Sequence, residues 1–522
     1  MVRTKEDQES HREEANNFLR LRETPLSPLV SRPTAHASTW WGVCVSAHVL
    51  TFLCTAALVG CTLSQSHYLL VDKSLLTSDY QEADAIIRQA EKDYGAKSRV
   101  LYGMDRGMTL QLAGEYEQSN RVLEEAEEEV DRLYTRTVRT ETAAFMTNDN
   151  TLPYEGEPYE QVMINVLKAL NYASLNRWQD ALVEARRMDH RLNVLADRTK
   201  DKAAYHDDGF ARYLSGILYE STGDVNNAFI AYRKAYEMFD SSHGWTRTRV
   251  PAQLQADLLR TADALHLSQE FSDYQRRFPD TAWTSLETQQ QLAQVIVISY
   301  NGRAPRKEDQ FLDVPISLDA LQLVLLNRGL FQGNRQQHRA ADTALYGLNG
   351  RVVRVALPMM VPQKTQVRAD TIRLLPADGP PLTVRTELVQ NVTALASKAL
   401  AERLPGITVK AVARAALKFS MAEAATRGAQ QAAGRDAAPW VGLAVGLLTK
   451  GFAVASEESD KRSWRTLPDE IHLARAWVSP GEYRVQGAVA DGGFRLMTPA
   501  SSEKTLSLQA RETVILIQRV MH

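Results

Sequence analysis

Cysteine is nearly absent from this chain of 522 residues. Its three cysteines, Cys44, Cys54 and Cys61, all lie in or directly after one apolar N-terminal stretch, and none follows them. The sequence therefore excludes a disulfide framework and a cysteine metal site from everything after Cys61.

An excess of charge of one sign is missing as well. Lysine and arginine together number 61 and aspartate and glutamate 63, which leaves a formal net charge of -2. Proteins that bind nucleic acid normally carry a basic face and a high isoelectric point. We therefore expect no nucleic-acid partner.

Catalytic signatures are also lacking. The chain contains no HExxH, GxSxG or Walker phosphate-loop motif, and its 11 histidines are scattered. The nearest approach to a metal cluster is His206 with Asp207 and Asp208, and either aspartate can instead cap the helix predicted to start near Phe210. The sequence thus predicts no enzyme activity, no catalytic residue, no cofactor and no metal site.

One long hydrophobic run is present, at residues 42–60. The run leads into LVGC at 58–61, which resembles the lipobox of a bacterial lipoprotein signal peptide, with basic residues upstream. This pattern predicts that residues 1–60 are an N-terminal extension and signal peptide, and that the freed Cys61 is acylated with chains such as palmitate. The length of the run also allows an uncleaved membrane anchor.

The residue after the lipobox cysteine predicts the compartment. It is Thr62, so the aspartate that retains lipoproteins in the inner membrane is missing. By analogy with lipoprotein sorting, this favours the outer membrane, facing the periplasm. Residues 1–41 are long and mixed in charge for a signal peptide, which favours a start of translation downstream, at a position such as Val30 or Val43.

The stretch Phe210–Ala235 has the pattern of two short amphipathic helices joined at Gly223. Small residues such as Gly216 and Ala228 fall where the two helices must touch, and Tyr232 fills the space beside them. This packing pattern is typical of a tetratricopeptide (TPR) hairpin.

The same pattern recurs along the chain. The residues that occupy the turn position before or within each second helix are Tyr80, Tyr116, Trp178, Val225 and Phe271. Their spacing is irregular against about 34 residues for an ideal TPR, which indicates insertions. We therefore predict TPR-like helical repeats over residues 61–285, with a helical bundle lacking a groove as the alternative.

The longest insertion precedes Trp178 and is polar and aromatic. Such a loop on a repeat scaffold often supplies a binding surface, although it can equally cap the concave face. The candidate contacts for a protein or peptide partner are Tyr154, Tyr159, Glu160, Tyr172, Trp178 and Tyr219. The acidic run 124–131 is predicted to be a solvated helix face, and Arg187 a surface residue or a partner for a neighbouring helix.

Beyond residue 290 the pattern changes to strands. Short β-branched runs bounded by turn residues begin at Gln294, Arg351, Gln366, Leu382, His472, Glu482, Lys504 and Glu512. They predict an antiparallel sheet or small sandwich in which the last two runs form a hairpin. The predicted fold class is α+β, with an N-terminal TPR-like array followed by a C-terminal domain, residues 290–522, of strands and apolar helices.

Three further stretches belong to this second half. Alanine-rich sequences predict helices at Ala394–Arg403 and Val409–Ala433. Residues 437–455 are almost wholly apolar, and because the uninterrupted part is too short to span a membrane, a buried helix is favoured over a membrane-touching or partner-facing one. In Asp460–Ile471, Trp464 lies between two arginines. We favour a packed loop that locks the helices onto the sheet over stacking on a ligand.

Several pieces together resemble a family of bacterial TPR-like outer-membrane lipoproteins. These pieces are the LVGC junction, NDN…PYEGEPYE…ALNY, ALVEARR, SYNGRAP and DKRSWRTLPDEIHLARAW…PGEY. The resemblance covers most of the chain after Cys61. It implies a cell-envelope role in peptidoglycan assembly, because the family is associated with lipoproteins that activate penicillin-binding proteins. It carries over no catalytic residue.

The sequence therefore favours a lipid-anchored periplasmic scaffold that holds a protein or peptide partner. An enzyme that acts on the cell wall or another glycan is the alternative, with Glu155, Glu157 and Glu160 as its candidate carboxylates. A subunit of an envelope secretion or export apparatus would differ from the scaffold only in its partner.

Overall fold

The computed structural model describes residues 66–144, 150, 152–198, 208–316, 352–365, 367–432, 458–491, 496–497 and 504–521. The predicted signal peptide with Cys61 and the apolar stretch 437–455 lie outside these residues. Within them the chain is a mixture of helices and sheets, as the sequence predicts.

Helical hairpins come first in chain order, and each packs on the next. In the described residues they are α1 and α2 (Ser66–Leu76, Tyr80–Gln89), α4 and α5 (Arg99–Leu112, Tyr116–Ala144), α6 and α7 (Pro158–Ser174, Trp178–Arg198), α8 and α9 (Gly209–Ser221, Val225–Thr246), and α10 and α11 (Ala252–Ala264, Ser268–Arg277). The short helices α3 (Glu91–Tyr94) and α12 (Leu286–Gln289) lie between and after them. The prediction of successive helical hairpins is confirmed.

Glycines let the two helices of a hairpin approach each other. A Cβ atom added to Gly216 of α8 would lie 2.4 Å from the ring of Tyr232 in α9. Gly107 of α4 meets Leu123 of α5 in the same way. At the turn after α8, Gly223 has a φ of 85°, which favours glycine. The small residues read from the sequence thus lie at helix contacts and turns.

The strands follow the helices. They are β1 (Ala293–Asn301), β2 (Arg306–Pro315), β3 (Val352–Val361), β4 (Val367–Pro376), β5 (Leu382–Arg385), β6 (Glu387–Asn391), β7 (Glu470–Val478), β8 (Gly481–Asp491), β9 (Leu496–Met497), β10 (Lys504–Leu508) and β11 (Thr513–Val520). The helix α13 (Val392–Ala432) separates β6 from β7. The first sheet has the order β11-β1-β7-β6, the second β10-β8-β4-β5 with β9 beside β8, and β2 and β3 form a ribbon.

Alternate residues of β1 face two different cores. Val295 and Val297 pack with the second sheet, whereas Ile296, Ile298 and Tyr300 pack with the helices. The described chain is therefore built in three layers: helices, first sheet and second sheet. A strand buried on both faces has a continuous apolar run rather than an alternating pattern, as residues 294–300 do.

The predicted strand pairing is wrong for the last two strands of the chain. β10 and β11 do not form a hairpin, because β10 pairs with β8 while β11 runs parallel to β1. β7 and β8 are consecutive but lie in different sheets. The first sheet is thus mixed rather than purely antiparallel. β11 suits this position because Ile515 packs with the helices and Leu516 with the second sheet.

The ribbon and its helix also differ from prediction. The sequence pattern does not predict β2, whose residues are mostly polar and exposed. The predicted break between two helices is wrong, because α13 continues through Pro405. Proline lacks the backbone N–H that would close one helical hydrogen bond, so the helix at Pro405 needs stabilisation from side-chain packing. Val412 and its alanine neighbours supply it against Val355 and Leu357 of β3.

Candidate functional site

A buried charge cluster joins β7 to the fourth and fifth hairpins. Arg475 of β7 donates to Asp257 of α10 at 2.6 Å and to Glu220 at the end of α8 at 2.8 Å. Arg260 of α10 pairs with the same two carboxylates, each at 2.7 Å. The hydroxyl of Tyr232 donates to Glu220 at 2.7 Å. The charges of the two arginines and the two carboxylates cancel. Because the ion pairs of Arg475 run from β7 to α8 and α10, the cluster holds the first sheet against the helices.

The electrostatics of this cluster follow from its pairing. Burial raises the pKa of the Glu220 carboxyl, but the charges of Arg260 and Arg475 outweigh it and lower that pKa to about 2. The ring of Trp477 lies beside both guanidinium groups, at 5.2 Å from Arg260 and 4.9 Å from Arg475. Because both carboxylates of the cluster are paired with arginines, we interpret the cluster as structural rather than reactive.

A second junction holds the segment 458–469 against α4 and α6. The backbone N–H of Trp464 donates to Glu160 at 2.8 Å, and the hydroxyl of Thr466 donates to Asp105 at 2.9 Å. Trp464 itself is fully buried. The guanidinium of Arg462 donates to the carbonyl of Leu152 at 2.9 Å. The favoured interpretation of this stretch as a packed loop is therefore confirmed.

Three of the partner contacts predicted from the sequence, Tyr154, Tyr159 and Glu160, meet in the protein interior. The carboxylate of Glu160 accepts from the hydroxyls of Tyr154 at 2.5 Å and Tyr159 at 3.2 Å, and from the backbone N–H of Glu157 at 2.8 Å. Burial and the nearby charge of Glu157 raise its pKa. Tyr154, Tyr159 and Glu160 are all buried. Their role as partner contacts stays a prediction, and in this structure they contact the protein itself.

Glu157 is buried beside Glu160 and is paired with two cations. Its carboxylate binds Lys307 of β2 and Arg403 of α13. Burial raises its pKa, but these two charges outweigh burial and lower the pKa to about 2. A glycosidase needs carboxyl groups that face a substrate. Here protein donors occupy both Glu157 and Glu160, while Glu155 is half-buried.

These junctions share one face of the helical array. Asp105, Glu160, Glu220 and Asp257 lie on or at the ends of α4, α6, α8 and α10, the first helices of four successive hairpins. On the same face, the hydroxyl of Tyr300 of β1 donates to the side-chain oxygen of Gln111 in α4 at 2.9 Å. Repeat arrays bind partners along an extended concave surface. In this protein the chain's own sheet and the segment 458–469 cover the face formed by these first helices.

The second helices carry an open groove of about 500 Å³. Its lining residues, from α5, α7 and the end of α6, are Glu117, Asn120, Arg121, Glu124, Tyr172, Arg177, Asp180, Val183, Glu184 and Arg187. The guanidinium of Arg177 lies 5.0 Å from the Tyr172 ring. We call this surface the α5–α7 groove.

The floor of the α5–α7 groove is a buried ion cluster. The ammonium of Lys168 is fully buried and binds Glu124, Glu127 at 2.8 Å and Glu184 at 3.1 Å. Burial lowers the pKa of Lys168, but the carboxylates raise it further than burial lowers it. Arg187 pairs with Glu124 at 2.9 Å, as the inter-helix alternative predicts.

The prediction that the acidic run 124–131 is a solvated face is wrong for Glu127, which is buried, whereas Glu124 stays partly exposed. Glu124 and Glu127 are three residues apart, so both lie on the side of α5 that meets α6 and α7. Lys168, which the sequence places inside an apolar helix, supplies their buried counter-charge.

The remaining predicted contacts lie apart from one another. Tyr172 lines the α5–α7 groove, and Trp178 lies next to its lining residue Arg177. Trp178 is half-buried, and its ring N–H donates to Asn176 at 2.6 Å. Tyr219 is half-buried in α8, one hairpin further on. Of the six candidate contacts, Tyr172 is therefore the one that the structure places in the α5–α7 groove.

Metal and membrane features can be stated for the described part of the chain. There, no group of three or more histidine, cysteine or acidic residues is arranged to hold a metal ion. No helix among these residues is long and apolar enough to cross a membrane. Asp208 caps α8 by accepting from the N–H of Ala211 at 2.9 Å, as predicted. His206 and Asp207 lie outside the described residues.

The sequence analysis does not predict the charge cluster around Arg475, although a signal exists. Arg475 interrupts an otherwise apolar strand, and Asp257 and Arg260 lie on the apolar side of a helix. Charged residues at buried positions require partners, so such interruptions indicate internal pairs.

Comparisons with known proteins add a helical likeness. No family profile matches the chain, and no curated protein matches it in sequence. Solved structures that resemble part of it include the MamA protein (14% identity, 43% of this chain and 98% of that one, TM-score 0.25). BtubC from P. vanneervenii is 14% identical, with a TM-score of 0.30 over 46% of this chain and 87% of that one. The TPR-like repeats of a putative kinesin light chain from Podosopora anserina are 12% identical, with a TM-score of 0.27 over 41% of this chain and 92% of that one. At these identities and scores the likeness assigns neither a family nor a function.

Proposed function

We propose that this chain is a lipid-anchored protein-interaction scaffold on the periplasmic side of the outer membrane, with a role in peptidoglycan assembly and no catalytic activity of its own. The LVGC junction at 58–61 and the family resemblance support the compartment. The observation that carries the scaffold role is the α5–α7 groove, an open surface on a rigid array whose other face is already covered.

The groove has the chemistry of a peptide-binding surface. Tyr172 offers an aromatic face, and Val183 of α7 is 42% exposed, which is unusual for valine. Around them the rim carries both signs of charge, including Glu117 and Arg121 on α5. We therefore propose a partner segment with an apolar side chain flanked by charges of both signs.

The floor of the groove supports this proposal. Lys168 and the carboxylates around it neutralise one another, and their helices are tied together before any partner arrives. A pre-formed surface loses little conformational entropy on binding. Binding would then depend on the rim residues rather than on rearrangement of the helices.

Site-specific cross-linking in intact cells tests the groove. A photoreactive residue replaces Val183 in one full-length variant and Leu382 of β5 in another, since these side chains are equally exposed at 42% and 40%. We expect an envelope protein adduct from position 183 only. Tyr172→Ala should reduce it about ten-fold, because a buried interface anchor contributes about 1.4 kcal/mol or more.

Equal adducts from both positions, or an adduct that Tyr172→Ala leaves unchanged, would remove the groove from the proposal. The identity of the adduct separates the remaining roles. A protein of cell-wall synthesis supports the proposed function, whereas a component of an export apparatus supports that alternative.

A further inference from the structure

The first helix is apolar on its exposed side as well as on its buried side. Tyr68, Val71 and Leu75 pack into the core. On the outer side, Leu69 is 72% exposed and Leu70 is 55% exposed. A helix that is hydrophobic all round normally has a second apolar environment on its outer face.

The exposed leucines form a continuous stripe. Leu69, Lys73 and Leu76 follow the spacing i, i+4, i+7, which places them on one face of α1, with Leu70 beside them. Leu76 is 43% exposed and Lys73 is exposed. A lysine within an apolar stripe can extend its ammonium to a polar boundary while its stem stays in apolar surroundings.

Basic groups lie beside this stripe. Asp72 of α1 is paired with Arg303 at 3.4 Å. Burial raises the pKa of the Asp72 carboxyl, while the charges of Arg303, Arg465, Arg519 and Arg306 act to lower it. Of these arginines, Arg303 and Arg465 are half-buried, so this side of α1 carries basic groups beside the stripe.

The sequence places the stripe next to the predicted lipid. Only four residues separate Cys61 from Ser66, where α1 begins. At about 3.6 Å per residue, an acylated Cys61 would lie within about 18 Å of the helix. An acylated cysteine lies at the bilayer surface, so α1 would begin within this distance of the surface.

We propose that the stripe of Leu69, Leu70, Lys73 and Leu76 lies on the phospholipid surface of the membrane that holds the protein. The leucines enter the acyl boundary to about 5–10 Å, and Lys73 and the half-buried Arg303 contact anionic headgroups. This inference rests on the proposed lipid anchor for its position. Its consequence is that α1 orients the helical array relative to the membrane, which a flexible tether alone would not do.

Depth-dependent fluorescence quenching tests the contact. The full-length protein carries Cys44→Ser and Cys54→Ser, so that a single reporter cysteine, Leu69→Cys, can be labelled with an environment-sensitive dye. Protein purified from membranes is reconstituted into vesicles of phosphatidylethanolamine and phosphatidylglycerol that contain spin-labelled lipid. We expect at least about two-fold stronger quenching at position 69 than at an equally labelled Leu382→Cys control.

Mass spectrometry of the Cys61 peptide separates the two proposals. With Cys61 acylated, equal quenching at 69 and 382 overturns the α1 contact and leaves the anchor intact. With Cys61 unmodified, the anchor fails, and the reporter is placed in a Cys61→Ser background. Stronger quenching at 69 on added vesicles then still supports the contact, and equal quenching overturns it.

A second measurement identifies a different occupant. If the dye at position 69 is shielded in detergent without lipid, and disulfide cross-linking through Leu69→Cys gives a dimer, a second copy covers the stripe and the inference is wrong. The variant Leu69→Glu with Leu70→Glu and Leu76→Glu should fold normally, because these side chains are exposed. It should lose the lipid-dependent protection of α1 from proteolysis.

Discussion

Single buried charges connect the helices to the sheet in this protein. Arg475 touches Asp257 and Glu220, and its nearest cation, Arg260, uses the same two acceptors. Each member is satisfied only while the other three are in place. Breaking such a cluster is costly because it leaves an unpaired charge in a medium that solvates it poorly.

Removing Arg475 tests this dependence. Arg475→Met keeps much of the side-chain volume but leaves Asp257 and Glu220 with one cation between them. We expect the free energy of unfolding to fall by about 3–5 kcal/mol, measured by urea denaturation at neutral pH. The matched control is Arg354→Met, since Arg354 pairs with Asp313 at 2.9 Å on the exposed ribbon. The control should change stability little, and equal losses would contradict the assigned importance of the buried cluster.

At the scale of elements, local patterns predict most of what is observed. The turn residues Tyr116, Trp178 and Val225 begin α5, α7 and α9, because glycine turns and helical spacing are local signals. Most strands also fall where β-branched runs predict them. The exceptions are the two-residue strand β9 and the strand β2. In β2, charged residues and their ion pairs replace the alternation of apolar and polar residues that would indicate a strand.

Pairing between elements is less accessible to sequence reasoning. Nothing local distinguishes a hairpin of β10 and β11 from their separation into two sheets, since adjacent strands usually pair. The position of β11 depends on contacts with β1, more than 200 residues earlier. The same holds for the candidate site. From the sequence, Tyr154 and Tyr159 are predicted to be accessible aromatic residues. They are buried because both contact Glu160, which also binds the backbone of Trp464, 304 residues further on.

Glu157, the residue just before α6, should make the stability of the protein depend on pH. The pKa of Glu157 is about 2 in the folded protein against an ordinary value of 4.5. A carboxyl with a lowered folded pKa stabilises the protein above its unfolded pKa, and this contribution fades as pH falls from about 4.5 toward 2. At neutral pH the shift corresponds to about 3 kcal/mol.

Urea denaturation of Glu157→Gln at several pH values measures this contribution. The variant should be less stable than the parent protein at pH 7, and the difference should shrink as pH falls below about 4.5. Glu308→Gln, at a half-buried position on β2 where the carboxylate pairs with Arg306 alone, is the control and should cost less stability at pH 7 than Glu157→Gln. A difference that stays constant with pH would contradict the pairing of Glu157 with Lys307 and Arg403.

At the scale of the whole molecule, the first sheet joins the helices to the second sheet. Residues from Leu63 to His522 form one compact unit, and β1 contributes to the helical core on one face and the sandwich on the other. The boundaries predicted from sequence, 61–285 and 290–522, stay a prediction. The three-layer packing nevertheless implies that both halves lose structure together.

Hydrogen exchange after removal of Trp464 tests this cooperativity. Trp464→Ala leaves a cavity between the layers, and truncating a buried tryptophan costs about 3–5 kcal/mol. Because Glu160 of α6 holds the backbone of Trp464 and Asp105 of α4 holds Thr466, we expect faster exchange in α4, α6 and β7 together. Met359→Ala, at a 40% exposed position of the ribbon, should accelerate exchange only locally. Acceleration confined to 458–469 in the Trp464 variant would instead show that the helical array is stable without its sheet, so that the covered face could open to a partner.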